Sequence, residues 1–331
     1  MPGYHLNLQG KVAFVAGIAD ANGYGWAISR QLCNAGASVL AGTWPPALKI
    51  FKRGLERGFG DKQLLADGSA MKFQGIYPLD VNYSEPEEIP EHVKGSRRYA
   101  DVQDYDIRTC SERVKRDVGK IDILVHAVAN APEVQKPLID TSREGKGPSQ
   151  LDYLAAVSAS SYSWVSMVRH FGGIMRPGGS CLSLSFIASE RVIPGYGGGM
   201  SSAKAQLESD TRVLAYEAGR RFGIRVNSIS AGPLLSRAAS AIENGGGESF
   251  IHSYIKFHEE HSPLQRKMDA DDVGRAALAL CSDLSTAVTG VCLHVDNGMH
   301  CMGFTGSSPP VLEFSLFTST RDLELESRLT L

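Results

Sequence analysis

The sequence predicts an α/β fold, a doubly wound parallel sheet with helices on both faces, formed by one domain. Residues 12–16 and 121–127 are short apolar runs, which are typical of strands buried on both sides of a parallel sheet. Helical patterns separate these runs, and strands that alternate with helices favour a parallel sheet. No repeat or interior linker divides the chain, so we expect one domain over residues 1–303.

The strands are predicted in chain order from their apolar runs. Residues 12–16 form the first strand, a helix follows at about 26–35, and residues 38–43 form the second strand, which together make a βαβ unit. The third predicted strand ends near Asp80. The later strands are predicted at residues 121–127, 180–186, 224–230 and 291–295. The charged stretch 85–98 is expected to be a solvated excursion.

Two segments depart from this pattern. Residues 145–150 are rich in glycine and polar residues and read as an inserted loop after the fourth strand. Residues 304–331 turn irregular and charged, so we expect a disordered C-terminal tail.

Composition excludes several classes of function. The net charge is −2 and the pI about 6.5, which gives no electrostatic basis for binding nucleic acid or membranes. The six cysteines are widely spaced without a Cys-x-x-Cys pair, so neither a zinc site nor any other metal site is expected. The first nine residues resemble neither a signal nor a transit peptide, which predicts a cytosolic protein or a chain whose presequence is absent.

The first turn predicts a dinucleotide site. Gly17, Gly23 and Gly25 follow a strand and open a helix, where N–H groups and close backbone approach suit a pyrophosphate. The G-x5-G-x-G spacing differs from the usual G-x-G-x-x-G fingerprint, so position rather than spacing supports the site. The second strand ends in residues 43–46 without an acid or an arginine, which leaves NADH or NADPH open; Trp44 could wall an adenine pocket or be a core aromatic.

A glycine-rich segment carries the candidate catalytic pair. None of the eleven tyrosines is followed by lysine four residues later, the spacing that the common short-chain dehydrogenases use. Tyr196 instead precedes Lys204 by eight residues across three glycines, which are poor helix formers. We therefore expect Tyr196 on a loop and Lys204 inside the following helix, and a carbonyl or alcohol dehydrogenase is the weaker alternative.

These motifs resemble the enoyl-acyl-carrier-protein reductases, closest to the plant and apicomplexan branch of the short-chain dehydrogenase/reductase superfamily. The resemblance covers about residues 8–303 and rests on residues 17–27, 43–46, 130–134, 194–212, 229–234 and 289–298. It implies a Rossmann-type homotetramer of the plastid (apicoplast or chloroplast). It also implies an NADH-dependent enzyme that reduces trans-2-enoyl thioesters on acyl carrier protein, the final reductive step of type II fatty-acid elongation, and that binds triclosan-type inhibitors.

The resemblance also implies site residues. Tyr196 and Lys204 would be catalytic, with Tyr196 on the thioester oxygen and Lys204 on the nicotinamide ribose. The cofactor would contact Gly17, Ile18, Tyr24, Gly25, Trp26, Trp44, Asp80, Val81, Ala129, Asn130, Lys204, Ala231, Gly232, Pro233, Leu234 and Ser236. Substrate and inhibitor would contact Phe186, Tyr196, Met200, Pro233, Ala238, Ala239 and Ile242.

Several positions depart from the family pattern. Phe186 stands where the family often has a second tyrosine, Ala127 replaces a serine, and Leu235 replaces a basic residue. A scaffold that binds NAD without turnover is therefore the non-enzymatic alternative. Retention of both Tyr196 and Lys204 favours the enzyme, because function resides in the site rather than in the fold.

Overall fold

The computed structural model describes residues 6–143, 152–236 and 250–303. The predicted inserted loop and the predicted tail at 304–331 lie outside these residues.

The described strands form one seven-stranded sheet in which every pairing is parallel. Its order is β3-β2-β1-β4-β5-β6-β7, so the chain first winds outward from β1 and then crosses to β4 and winds the other way. This arrangement confirms the predicted doubly wound fold. The strands are β1 (Val12–Ala16), β2 (Ser38–Thr43), β3 (Gly75–Pro78), β4 (Ile121–His126), β5 (Met175–Ser185), β6 (Arg225–Ala231) and β7 (Cys292–Val295).

Helices cover both faces of the sheet, as predicted. Alternate residues of β1 point to opposite sides: Phe14 joins a core with α4, α6 and α7, and Val15 joins a core with α1 and α9. The helices are α1 (Tyr24–Asn34), α2 (Pro45–Arg57), α3 (Glu91–Lys94), α4 (Ile107–Val118), α5 (Tyr153–Val157), α6 (Ser163–Gly172), α7 (Met200–Phe222), α8 (Phe250–His261) and α9 (Ala270–Cys281).

Local sequence explains most element boundaries. Asp106 caps α4 by accepting from the Thr109 N–H at 2.9 Å, and Asp269 with Asp272 forms a capping box at α9. Gly223 ends α7 in the left-handed conformation. The stretch 85–98 contains the short α3 rather than irregular loop alone, and a π-helical turn, Ser158–Tyr162, joins α5 to α6.

The sheet changes winding direction between β1 and β4, and the loops after these strands nearly touch. Gly17 has φ of 96°, and a Cβ there would overlap the Ala127 carbonyl oxygen. Only glycine lets these two backbones approach so closely without displacing one of them. The crevice beside this point is where doubly wound sheets bind ligands. Within the described residues, no helix combines the length and apolarity needed to cross a membrane.

We expect Gly17→Ala to lower the free energy of unfolding by about 3 kcal/mol. Alanine is strained at the positive φ of this position, and its Cβ would overlap the Ala127 carbonyl oxygen. Gly10→Ala is the matched control, because Gly10 also has positive φ but no atom near an added Cβ. It should cost about 1 kcal/mol. Urea unfolding at one protein concentration measures both, and equal losses would contradict a role for the close approach.

Candidate functional site

A cavity of about 670 Å³ opens at the carboxyl ends of β1, β4, β5 and β6. Its volume is that of a site for a small molecule or cofactor. It brings together these predicted residues: Gly17, Tyr24, Gly25, Trp26, Trp44, Asp80, Val81, Ala129, Asn130, Phe186, Tyr196, Met200, Lys204, Ala231, Gly232, Pro233, Leu234 and Ser236. The predicted substrate residues Ala238, Ala239 and Ile242 lie outside the described residues.

The first turn of α1 faces this cavity. No side chain of the described residues caps the helix, and its first residues Tyr24 and Gly25 line the cavity together with Gly17. The Tyr24 hydroxyl donates to the Gly232 carbonyl at 2.7 Å and thereby ties this turn to the loop after β6. Such a turn offers donors and partial positive charge to a phosphate.

The side chains of two predicted cofactor residues, Ile18 and Trp26, are buried in the protein core. Ile18 does not line the cavity, because its side chain is 1% exposed and belongs to the core beneath the turn. The Trp26 ring is also buried and donates from Nε1 to the Lys62 carbonyl at 2.8 Å. A residue just after the strand also has to close the core, so the predicted contact of Ile18 with the cofactor would have to use its backbone.

At the far end of the cavity, Trp44 and Asp80 meet. The carboxylate of Asp80 accepts from Trp44 Nε1 at 3.2 Å and from the Tyr99 hydroxyl at 2.6 Å. Its other oxygen accepts from the side chain of Asn82 at 2.8 Å. Arg98 lies 5.0 Å from the centre of the Trp44 ring. The buried acid at this end, which is the predicted cofactor residue Asp80, thus follows β3, whereas β2 ends without an acid.

Aromatic side chains surround the candidate catalytic tyrosine. The ring of Tyr196 lies 4.9 Å from that of Phe186, which in turn lies 5.9 Å from Tyr254 of α8. Burial raises the pKa of the Tyr196 phenol above its ordinary value. Tyr196 is therefore protonated at neutral pH and can donate a hydrogen bond into the cavity.

Gly197 and Gly198, the first two of the three glycines after Tyr196, pack against the loop after β4. The Gly197 N–H donates to the Val134 carbonyl at 3.1 Å and the Gly198 N–H to the Lys136 carbonyl at 3.0 Å. A Cβ on Gly197 would overlap the Lys136 oxygen, and one on Gly198 would lie 2.5 Å from Glu133 backbone atoms. A side chain at either position would therefore collide with this loop. The glycine segment is followed directly by α7, which begins at Met200.

Lys204 occupies the first turns of α7 and is 4% exposed. Its ammonium group donates to the Leu184 carbonyl at 2.7 Å. Desolvation lowers its pKa to about 8, with the carboxylate of Glu208 acting in the opposite direction. Glu208 also accepts from the Ser185 hydroxyl and, at 2.7 Å, from the Ser189 hydroxyl. Lys204 is thus a buried donor with one adjacent counter-charge.

A serine of the π-helical turn supports the opposite wall. The Ser160 hydroxyl accepts from the Asn130 N–H at 2.9 Å and lies 3.5 Å from the Met200 sulfur. It therefore fixes the predicted cofactor residue Asn130 to the predicted substrate residue Met200. The π-helical turn provides this contact, because it shifts the direction of side chains between α5 and α6.

His126, at the end of β4, is not an acid–base group of this site. Burial, together with the charge of Lys204, lowers its pKa to about 3, so the ring is neutral. Its Nε2 lies 2.7 Å from the Ser163 hydroxyl. Tyr196 and Lys204, in contrast, both line the cavity.

Sequence reasoning missed several residues that the fold brings here. Tyr254, Tyr99 and Asn82 line the cavity or support it, and Glu208 and Ser160 hold the candidate residues. Glu208 lies four residues after Lys204 and so on the same helical face, a spacing visible in the sequence. The others come from distant elements, and only tertiary structure places them together.

The fold and the cavity define a dinucleotide-dependent reductase with a Rossmann-type sheet. The family model described as "Enoyl-(Acyl carrier protein) reductase" matches residues 80–300. The chain belongs to the enoyl-acyl-carrier-protein reductase family, as the sequence motifs predicted.

Individual relatives agree with this assignment. The chain is 55% identical over 308 residues to the chloroplastic NADH enoyl-[acyl-carrier-protein] reductase of Arabidopsis thaliana, covering 93% of this chain and 76% of that protein. The crystal structure of the Plasmodium berghei enoyl-acyl-carrier-protein reductase with triclosan has a TM-score of 0.84 at 45% identity, covering 90% of this chain and 100% of that one. The Anaplasma phagocytophilum reductase in complex with NAD has a TM-score of 0.70 at 28% identity, with 91% and 96% covered.

We expect Glu208→Gln to lower the free energy of unfolding by about 3 kcal/mol near neutral pH, because Lys204 loses its counter-charge. The folded-state pKa of Lys204 is already below its ordinary value, so the buried ammonium costs stability below about pH 8 and less as the pH rises. The variant should therefore approach the wild type at alkaline pH. Urea unfolding at neutral and alkaline pH measures this.

Glu217→Gln is the matched control on the same helix, since Glu217 is exposed. It should change stability by less than about 0.5 kcal/mol. A loss for Glu208→Gln that is the same at both pH values would show that its effect does not pass through the Lys204 charge.

Proposed function

We propose that the chain is an NADH-dependent enoyl-acyl-carrier-protein reductase that reduces the trans-2 double bond of the acyl thioester. The observation that carries this proposal is the convergence of Tyr196 and Lys204, eight residues apart, on one cavity with the open first turn of α1. A Tyr-x-x-x-Lys pair would have favoured carbonyl reduction, and none exists in the sequence.

The residues present fit a dinucleotide along the cavity. The open N-terminus of α1 and the glycines of the first turn would meet the pyrophosphate, and Trp44, Asp80 and Val81 would frame the adenine. Asn130 and the loop 231–236 would border the nicotinamide end. When bound, NADH supplies the hydride.

Lys204 would hold the nicotinamide ribose hydroxyls. Its ammonium donates to the Leu184 carbonyl, and the Glu208 carboxylate on the next helical turn keeps more of it protonated. A donor fixed this way places the hydride source rather than transferring a proton.

Tyr196 would act on the substrate. Addition of hydride to the β-carbon moves the double-bond electrons onto the thioester oxygen, and protonation of the α-carbon completes the saturated chain. The phenol of Tyr196, kept neutral by burial, would donate a hydrogen bond to that oxygen as its charge develops. Phe186 packs on the Tyr196 ring and restricts its orientation.

The proposal extends to the binding partners, the oligomeric state and the cellular compartment of the protein. The substrate chain would be carried by acyl carrier protein, triclosan-type inhibitors would compete near Tyr196, and the working form would be a homotetramer. The plastid is the proposed compartment, on the basis of the chloroplastic and Plasmodium relatives.

The direct test of reaction class follows the loss of NADH absorbance with crotonyl or dodecenoyl thioester. NADPH and a ketone substrate are run in parallel. Oxidation of NADH with the enoyl thioester, and little with the ketone or with NADPH, is expected. Turnover of the ketone alone would support a carbonyl reductase, and NADH binding without any turnover would support the non-catalytic scaffold.

We expect Tyr196→Phe to keep NADH affinity while lowering the turnover rate by about 10²-fold or more, the effect of losing one donor to a developing oxyanion. Tyr216→Phe is the matched control, because Tyr216 lies 62% exposed on α7. Steady-state kinetics and NADH fluorescence titration measure both, and unchanged turnover in Tyr196→Phe would contradict the assigned role.

A further inference from the structure

Three potential metal ligands meet at the end of β7, in a place that the reductase reaction does not use. One donor atom each from His294, Asp296 and His300 lies within 4.8 Å of the other two. The imidazole rings of His294 and His300 are stacked, with centroids 4.2 Å apart and planes 14° from parallel. None of the three lines the cavity described above.

The backbone holds Asp296 in place. Its carboxylate accepts from the Gly298 N–H at 3.1 Å and from the His300 N–H at 2.8 Å, within one tight turn. Asn297 and Gly298 both have positive φ, of 54° and 85°. The same carboxylate accepts from His300 Nδ1 at 2.9 Å. The turn therefore sets the direction of both Asp296 and His300 without any contribution from a ligand.

His294 has one ring nitrogen near a carboxylate and the other without a hydrogen-bond partner among the described residues. Its Nε2 lies 3.6 Å from the Glu190 carboxylate, and its Nδ1 is buried without a hydrogen-bond partner among the described residues. Metal-bound histidines commonly use one ring nitrogen for the metal and hold the other against a carboxylate. A buried nitrogen without a partner otherwise costs free energy in a folded protein.

We propose that His294, Asp296 and His300 form a binding site for a divalent transition-metal ion of the zinc class. Two imidazoles and one carboxylate suit Zn²⁺ and its neighbours, whereas Ca²⁺ and Mg²⁺ prefer sites made of oxygen alone. Ligand atoms of a tetrahedral zinc site are about 3.3 Å apart, given metal–ligand bonds of about 2.0 Å. Small side-chain rotations bring atoms that lie within 4.8 Å to that spacing.

The cysteine spacing predicted no metal site in this chain, whereas the proposed site contains no cysteine. The pattern His-x-Asp-x3-His at 294–300 uses no cysteine, and the separation of its members follows no standard zinc motif. His294 lies on β7 and Asp296 is the first residue after that strand, and the following turn returns His300 to them.

The test is isothermal titration of the full chain with Zn²⁺ after removal of bound metal by a chelator. We expect one Zn²⁺ site per chain. Substitution of both histidines, His294→Gln with His300→Gln, should weaken binding by about 100-fold or more, and Glu190→Gln by about 10-fold.

His92→Gln is the matched control, because His92 is exposed on α3 outside the cluster. Cys301→Ser tests whether the neighbouring thiol binds the ion instead, and Co²⁺ substitution adds a spectrum that reveals a thiolate ligand by its charge-transfer band. Equal affinity in the wild type and the double histidine variant would overturn the proposal. So would binding that is lost in Cys301→Ser.

Thermal unfolding in the absence of metal distinguishes a folding defect in a variant from the loss of a metal ligand. His300 is partly exposed, so the single variant His300→Gln should retain the wild-type midpoint and lose most of the stabilisation that added Zn²⁺ confers on the wild type. Retention of the full zinc-dependent shift in that variant would contradict the proposed ligand set.

Discussion

The backbone of the glycine-rich segment lies directly against the loop that follows β4, and the positions of both candidate catalytic residues depend on this contact. Gly197 and Gly198 donate to the Val134 and Lys136 carbonyls, and a side chain on either glycine would displace that loop. Tyr196 stands immediately before this contact and α7 begins immediately after it. The eight-residue spacing between Tyr196 and Lys204 is therefore the length of chain needed to cross a loop and complete the first turn of a helix.

The charge states of the candidate site residues depend on their burial and on neighbouring groups. Lys204 is buried, yet Glu208 and the Leu184 carbonyl keep its ammonium group in place, and its pKa of about 8 allows it to remain largely protonated at neutral pH. Because His126 and Tyr196 are neutral, Lys204 is the one of these three groups that carries a charge. The proposed mechanism separates two tasks: the lysine would position the cofactor, and the tyrosine would meet the charge that develops on the substrate.

The sequence predicted the sheet well, because continuous apolar strands and glycine turns are local signals. It also pointed to Tyr196 and Lys204, which the fold brings to one cavity, since a triple glycine between a tyrosine and a lysine is unusual. It did not show that the Ile18 side chain belongs to the core, and it could not find Tyr99, Tyr254 or Ser160. These residues are brought to the cavity from α8, from a π-helical turn and from the excursion after β3, and no periodicity in the chain encodes those contacts.

The central claim, hydride addition to an enoyl thioester in this cavity, is tested most directly by isotope transfer. NADH carrying deuterium at both C4 positions is incubated with crotonyl thioester and the full chain, and the acyl product is analysed by mass spectrometry. The account predicts one deuterium at the β-carbon and a proton from solvent at the α-carbon. Deuterium at the α-carbon, or an acyl product without deuterium, would contradict it.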